Sequence, residues 1–261
     1  MTVALPTVSA CGIECVALPT AVLSNHTQFK AWTFADLTTQ IIPTIDNWKS
    51  YNHDFDCIYT GYLTTPQIDI TLSVINTLKR DRTIVFIDPA MADNGALYKG
   101  FNINHVEEMK KLISIADYIK PNVTEACLLT GTEYTNSPTR PFSFYKSLIL
   151  KLAKLSPKNI ILTGANTNEN NIGILIYSRV ENKLTYIEYP YLKANFHGTG
   201  DLFSSCLASL LTLNIPILKA INITHNYVIK SIQYTIDDKV NGLLYGPQFE
   251  KAIPYLISKI K

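Results

Sequence analysis

Short apolar, β-branched runs alternate along this chain with longer segments of helical period. A chain patterned this way folds as a mostly parallel sheet covered by helices. The strand-like runs are Glu14–Leu18, Phe55–Tyr59, Thr83–Ile87, Asp117–Ile119 and Asn159–Leu162. Helices are expected over Pro66–Lys79, Asn104–Ile115 and Pro141–Leu155, and over Asn122–Leu129 with Gly131 closing it. Ile172–Ser178 and Lys183–Tyr189 flank Arg179-Val180-Glu181-Asn182 and read as an antiparallel hairpin. Further helices start at Asp201, near Pro216 and near Pro247. No internal repeat, low-complexity tract or linker breaks the pattern, so residues 1–261 read as one α/β domain.

Composition narrows the function classes. With 47% hydrophobic and 17% charged residues, the chain has ample material for a core. A net charge of +2, with no block of like charges, is too balanced to suggest a nucleic-acid surface. The five cysteines lie scattered in apolar surroundings without C-x-x-C spacing, so they read as reduced thiols rather than disulfides or zinc ligands. No apolar run reaches the ~18 residues of a membrane span, and the N-terminus lacks the basic region of a signal peptide. A soluble, cytoplasmic protein that contacts neither membrane nor nucleic acid is the expectation.

The segment with the most chemical content is Phe196-His197-Gly198-Thr199-Gly200-Asp201-Leu202-Phe203. Its glycines precede a nearly all-apolar run, Leu202 to Leu213, which reads as a buried helix. Glycines at a helix start expose backbone N–H groups at its positive end, a ready site for phosphate. A carboxylate beside such a cradle would repel the anion. The pairing makes sense if Asp201 takes a proton from a hydroxyl while the amides stabilise a phosphoryl group. Asp is also a common helix cap, so the turn alone does not decide.

Other polar residues follow the ends of predicted strands, where ligands of open α/β sheets bind. Asp88 and Asp93 share a turn-rich loop, Asp88-Pro-Ala-Met-Ala-Asp-Asn-Gly95. Carboxylate oxygens there suit Mg²⁺, which binds through one or two carboxylates plus phosphate oxygens. An Asx-turn in a solvated loop is the plainer account. Asn122 and Glu125, three apart, could hold metal-bound water or simply cap a helix. Thr163 and Gly164 follow another strand, where the hydroxyl could meet a phosphate or merely close a turn. Ser24-Asn25-His26-Thr27 offers hydrogen bonds to a polar ring, and Tyr62 and Tyr98 could flank one.

Taken together, these segments resemble the ribokinase-like superfamily, and within it the pyridoxal kinases. The matching stretches are Ala17 to Thr27, Tyr59-Thr-Gly-Tyr62, Asp88 to Gly95, Pro121-Asn-Val-Thr-Glu125, Leu162-Thr-Gly164 and Gly198-Thr-Gly-Asp201. The resemblance implies a three-layer fold with a mostly parallel central sheet and helices on both faces. It implies ATP-dependent phosphorylation of the 5′-hydroxymethyl group of pyridoxal, pyridoxine or pyridoxamine. Asp201 would be the base, and Gly198, Thr199 and Gly200 the anion hole. ATP would be held by Asp88, Asn122, Thr163, Gly164 and Thr199. Asp88, Asp93 and Glu125 would lie near Mg²⁺, with K⁺ or Na⁺ as a further candidate cation. Thr27, Tyr62, Tyr98 and Asp201 would meet the vitamin. A homodimer is implied as well. A hydroxymethylpyrimidine kinase of the same fold, and a non-catalytic pyridoxal binder, are the alternatives.

Three departures from the resemblance stand out. Relatives usually begin with a buried strand and an Asp-Ile-Ser-type loop, whereas Met1-Thr-Val-Ala-Leu-Pro6 starts inside the helix that follows. Gln28-Phe29 follow Thr27 where relatives commonly carry glycine. Ala92 stands at another glycine position, and Lys120 precedes Pro121 where some relatives have threonine.

Overall fold

The computed structural model describes residues 2–25, 29–192, 196–239 and 245–260. The chain begins with α1 (Ala4–Ala10), β1 (Ala21–Leu23), β2 (Phe34–Asp36) and α2 (Thr38–Ser50). It continues through β3 (Cys57–Thr60), α3 (Thr65–Leu78), β4 (Ile84–Ile87), β5 (Ala92–Asp93), β6 (Ala96–Leu97) and α4 (Ile103–Ser114). Next come β7 (Tyr118–Ile119), α5 (Val123–Thr130), α6 (Phe142–Ala153), β8 (Asn159–Thr163), β9 (Asn171–Ser178) and β10 (Lys183–Pro190). The last elements are α7 (Thr199–Thr212), α8 (Ile217–Asp237), a 3-10 turn (Phe249–Ala252) and α9 (Ile253–Ile260).

Trp48–Tyr191 form one compact unit around a six-stranded sheet ordered β10-β9-β8-β7-β4-β3. Strands β3, β4, β7 and β8 run parallel. The β9–β10 hairpin continues the sheet antiparallel beside β8, as its sequence pattern foretold. Each parallel step moves to the next neighbour in the same direction. Right-handed crossovers of that kind put α3, α4, α5 and α6 on one face. The pleat sends Val85 and Ile87 of β4 into a core with Ile75 of α3, Met109 of α4 and Leu148 of α6. Phe86 points the other way, its ring centroid 5.7 Å from Tyr59 and 6.3 Å from Tyr118. Val85, Phe86 and Ile87 are all 0% exposed, so β4 is covered on both faces, as parallel strands require.

Met1–Asn47 and Leu192–Lys261 form the second compact unit. Every residue of α7 from Leu202 to Leu211 is buried, in keeping with its apolar sequence. Helix α8 and α1 both pack on α7, and α9 packs on α1 and α8. Strands β1 and β2 form a separate antiparallel pair, with Val22 opposite Ala35.

One expectation fails, and one element goes unannounced. Glu14–Leu18 is not a strand. Its residues alternate between exposed and half-buried up to Ala17, but no strand among the described residues pairs with them, and a period of two makes a strand only against a partner. The segment Thr38–Ser50 is a helix that the apolar pattern did not announce, with Pro43 inside it. No helix among the described residues is long and apolar enough to cross a membrane.

The histidine of α8 sets an acid limit on stability. Burial holds the His225 imidazole down to about 4. An unfolded chain takes up that proton near pH ~6.5. Stability is therefore complete above pH ~6.5 and falls as the pH drops towards 4, by about 3 kcal/mol in total. Burial shifts His105 of α4 in the same direction. Urea unfolding at about pH 7.5, 5.5 and 4.5 should show the loss, and His225→Gln should flatten it. An equally steep decline in the variant would assign the loss to other groups.

Candidate active site

Residues at the carboxyl ends of the parallel strands build one cluster of candidate site residues. Asp88 follows β4, and its N–H donates to the Thr60 carbonyl at 3.0 Å. Lys120 follows β7, and its N–H donates to the Ile87 carbonyl at 3.1 Å. The ladder thus runs one residue past each strand and sets the two side chains next to each other. Lys120 Nζ lies 2.9 Å from Asp88 Oδ2, with the side chains 7% and 3% exposed. Lysine and aspartate are almost never buried so deeply unless paired.

Helix α5 starts beside this pair. Asn122 Oδ1 accepts from the Glu125 N–H at 2.9 Å, and Glu125 Oε2 accepts from the Asn122 N–H at 2.8 Å. This is a full capping box, so the helix-entry reading of the two residues holds. The same side chains also hold the preceding loop. Glu125 Oε1 accepts from the Met91 N–H at 3.1 Å, and Asn122 Nδ2 donates to the Ala92 carbonyl at 2.8 Å. Burial, and then the negative charge of Asp88, push the Glu125 carboxyl up to about 8. Lys120 and the two backbone N–H groups pull the other way and are outweighed.

Thr163 and Asn122 bridge β8 to the start of α5. The Thr163 N–H and hydroxyl both donate to the Pro121 carbonyl, at 3.0 and 3.4 Å. Gly164 turns the chain away at φ +75°. Asp93 sits apart on the β5–β6 tip, exposed, its carboxylate accepting from Asn94 N and Nδ2 at 2.8 and 3.2 Å. The turn needs glycine at 95: φ is +81°, and a Cβ there would lie 2.6 Å from the Tyr134 ring. The structure therefore gathers Asp88, Lys120, Asn122 and Glu125, sets Thr163 beside Asn122, and leaves Asp93 outside.

The presumed ring contacts fare differently. Tyr62 is half-exposed and stacks on Phe101 at 5.2 Å, and Phe101 stacks on His105 at 3.8 Å. His105 Nδ1 is 2.9 Å from the Thr65 hydroxyl. Desolvation raises the Tyr62 phenol above its ordinary pKa. Tyr98 follows β6, and its N–H donates to the Met91 carbonyl at 2.8 Å. Thr27 lies outside the described residues.

In the second unit, Gly198 is the N-cap of α7 at φ +81°, a conformation that favours glycine. Thr199, Gly200 and Asp201 make the first helical turn. Asp201 is exposed, and its carbonyl accepts from the Ser205 hydroxyl at 2.7 Å. First-turn N–H groups have no partner within their own helix and sit at its positive end. The arrangement suits an anion with a carboxylate alongside.

No group of three or more His, Cys, Asp or Glu side chains among the described residues could hold a metal ion. Magnesium needs less: one or two carboxylates, substrate phosphates and water. Asp88 and Glu125 are hard oxygen donors of that kind. They fit an ion that arrives with a nucleotide and offer no cage for a resident one.

The chain matches the phosphomethylpyrimidine kinase family over residues 2–243. It belongs to that family. The pyridoxal kinase of Dictyostelium discoideum is 29% identical over 238 residues, covering 83% of this chain and 76% of that one. A candidate phosphomethylpyrimidine kinase of Bacteroides thetaiotaomicron, solved with pyridoxal, has a TM-score of 0.92 at 32% identity, covering 98% of this chain and 90% of the other. Pyridoxal kinase of Lactobacillus plantarum has a TM-score of 0.88 at 24% identity, covering 98% and 90%, a likeness of fold.

Within this family member, Lys120 is the site residue that motif reading passed over. It stood out only as a departure before Pro121. The usable signal was positional, since two neighbouring parallel strands end in opposite charges. Removing one partner of such a pair strands the other in a dry site, at a cost of about 3–5 kcal/mol. Lys120→Met should lower the urea midpoint accordingly, and adding Asp88→Leu should recover most of the loss. A single variant as stable as the parent would mean that water reaches Asp88.

Proposed function

We propose that this chain transfers the γ-phosphoryl group of ATP to the 5′-hydroxymethyl group of a B6 vitamer, giving pyridoxal 5′-phosphate or its analogues. One observation carries the reading: α7 begins at a positive-φ glycine and carries an exposed aspartate in its first turn. A protein that only binds pyridoxal needs no base there.

Asp201 takes the hydroxyl proton as the new O–P bond forms and ADP leaves with the electrons of the broken bond. The N–H groups of Gly198, Thr199 and Gly200 receive the charge on the moving phosphoryl. Asp88, Asn122, Thr163 and Gly164 line the ATP side. Asp88, Glu125 and the more distant Asp93 would hold Mg²⁺, which when bound neutralises phosphate charge. Tyr62, Tyr98 and Thr27 would position the ring. Phosphoryl transfer depends mainly on positioning and charge stabilisation, so rigid parts of this kind suffice. A cytoplasmic homodimer completes the reading.

The family as a whole keeps a second acceptor in play, hydroxymethylpyrimidine, which also presents a hydroxymethyl group on an aromatic ring. Purified chain should be incubated with Mg-ATP and, in parallel, pyridoxal, pyridoxine, pyridoxamine and hydroxymethylpyrimidine, with the phosphate ester read by mass. A B6 ester is expected, and a strong preference for the pyrimidine would reverse the assignment. Asp201→Asn should reduce turnover by about 10²–10⁴-fold with Mg-ATP binding kept. Full activity in that variant would remove Asp201 as the base.

A further inference from the structure

A phosphate site lined by two buried carboxylates needs positive charge to receive a polyphosphate. In this chain one such charge is covalently attached. Lys120 sits at the carboxyl end of β7 with its Nζ 2.9 Å from Asp88 Oδ2, and both side chains are shut from water. The β3–β4 and β4–β7 ladders fix that position, because the Asp88 N–H bonds to Thr60 of β3 and the Lys120 N–H to Ile87 of β4.

We propose that Lys120 is the resident cation of the nucleotide site, taking the place beside Asp88 that a free K⁺ or Na⁺ would otherwise fill. The inference rests on the kinase reading above. A free monovalent ion beside Asp88 would share its carboxylate with an ammonium held 2.9 Å from Oδ2, and the two like charges would repel. The place beside Asp88 Oδ2 is taken by the ammonium, and each oxygen of Glu125 accepts a backbone N–H. The cluster does not fit a monovalent ion in addition to Lys120. An alkylammonium is itself a compact single positive charge, so it can do the same electrostatic work without being drawn from solution. Threonine, which some relatives carry at this position, has no charge and would leave Asp88 in need of an ion.

The test is Mg-ADP binding by calorimetry in choline chloride, NaCl and KCl at equal ionic strength, which requires no turnover. The parent chain should bind Mg-ADP with affinities within about twofold across the three salts. Lys120→Thr should bind at least about tenfold more weakly in choline chloride and recover in KCl or NaCl, a span well outside calorimetric error. Parent affinity that rises tenfold or more with K⁺ would overturn the proposal, and that measurement needs no variant. So would a folded Lys120→Thr that matches the parent in every salt. Absence of Mg-ADP binding by the parent in all three salts would overturn the kinase reading itself. Failure to phosphorylate a vitamer, with salt-indifferent Mg-ADP binding intact, would count against the acceptor alone.

Discussion

Asp88 and Lys120 meet out of reach of water where two neighbouring parallel strands end, and neither charge could stay there without the other. That requirement fixes more than one contact. A one-residue slip between β4 and β7 would turn every side chain of the shifted strand to the opposite face, separating the pair and burying two lone charges. The opposite end of the same pairing is held by charge as well. Asp117 Oδ2 accepts from the Val85 N–H at 2.8 Å, and Lys158 Nζ lies 2.6 Å from Asp117 Oδ1. Strand β7 has only two residues, yet it sits inside the sheet. Polar clamps at both ends let so short a strand keep its register.

The start of α5 shows how a structural motif and a chemical one can share atoms. A capping box satisfies two backbone donors and would do so in any protein. Here its glutamate is buried near Asp88, and the carboxyl is pushed up to about 8. Burial thus disfavours charge on Glu125, and the Lys120 ammonium sits against the Asp88 carboxylate. A polyphosphate approaching such a group meets little net repulsion. A deprotonated Glu125 with no lysine nearby would oppose it by about 1 kcal/mol for each charge pair at 4 Å even in bulk water, and by more in a drier site.

Much of this architecture was legible from pattern, because the strands and helices of the Trp48–Tyr191 unit carry their own signals. Val85-Phe86-Ile87 and Ile160-Ile161-Leu162 are buried on both faces and so read as continuous apolar runs. Asn122 and Gly131 mark the two ends of α5 by their preferred backbone angles. What stayed hidden depends on partners distant in sequence. Glu14–Leu18 has much of the right alternation but no strand to pair with among the described residues. Helix α2 combines β-branched residues with an internal proline, so local propensity argues against it while Ile41 and Ile45 are buried. Lys120 belongs to no motif, and its meaning arises only when β4 and β7 lie side by side.

The choice between two aromatic acceptors turns on a different kind of contact from those that perform the transfer. In the proposed reading, the residues assigned to transfer meet phosphate and a hydroxymethyl group, which both acceptors offer. Tyr62 stacks on Phe101, which in turn stacks on His105, and a ring face by itself does not distinguish one heterocycle from another. Apolar pocket contacts separate similar substrates by about 10–200-fold, whereas a buried hydrogen bond left unmade separates them by about 10⁴–10⁵-fold. Strong preference for a B6 vitamer must therefore come from polar groups facing the ring's substituents. Thr27 is the residue of that kind that the resemblance supplies, and Gln28-Phe29 after it differ from the glycine relatives use. Selectivity in this chain is thus expected to depend on a segment whose sequence departs from its relatives, while Gly198-Thr199-Gly200-Asp201 keeps the pattern of the resemblance.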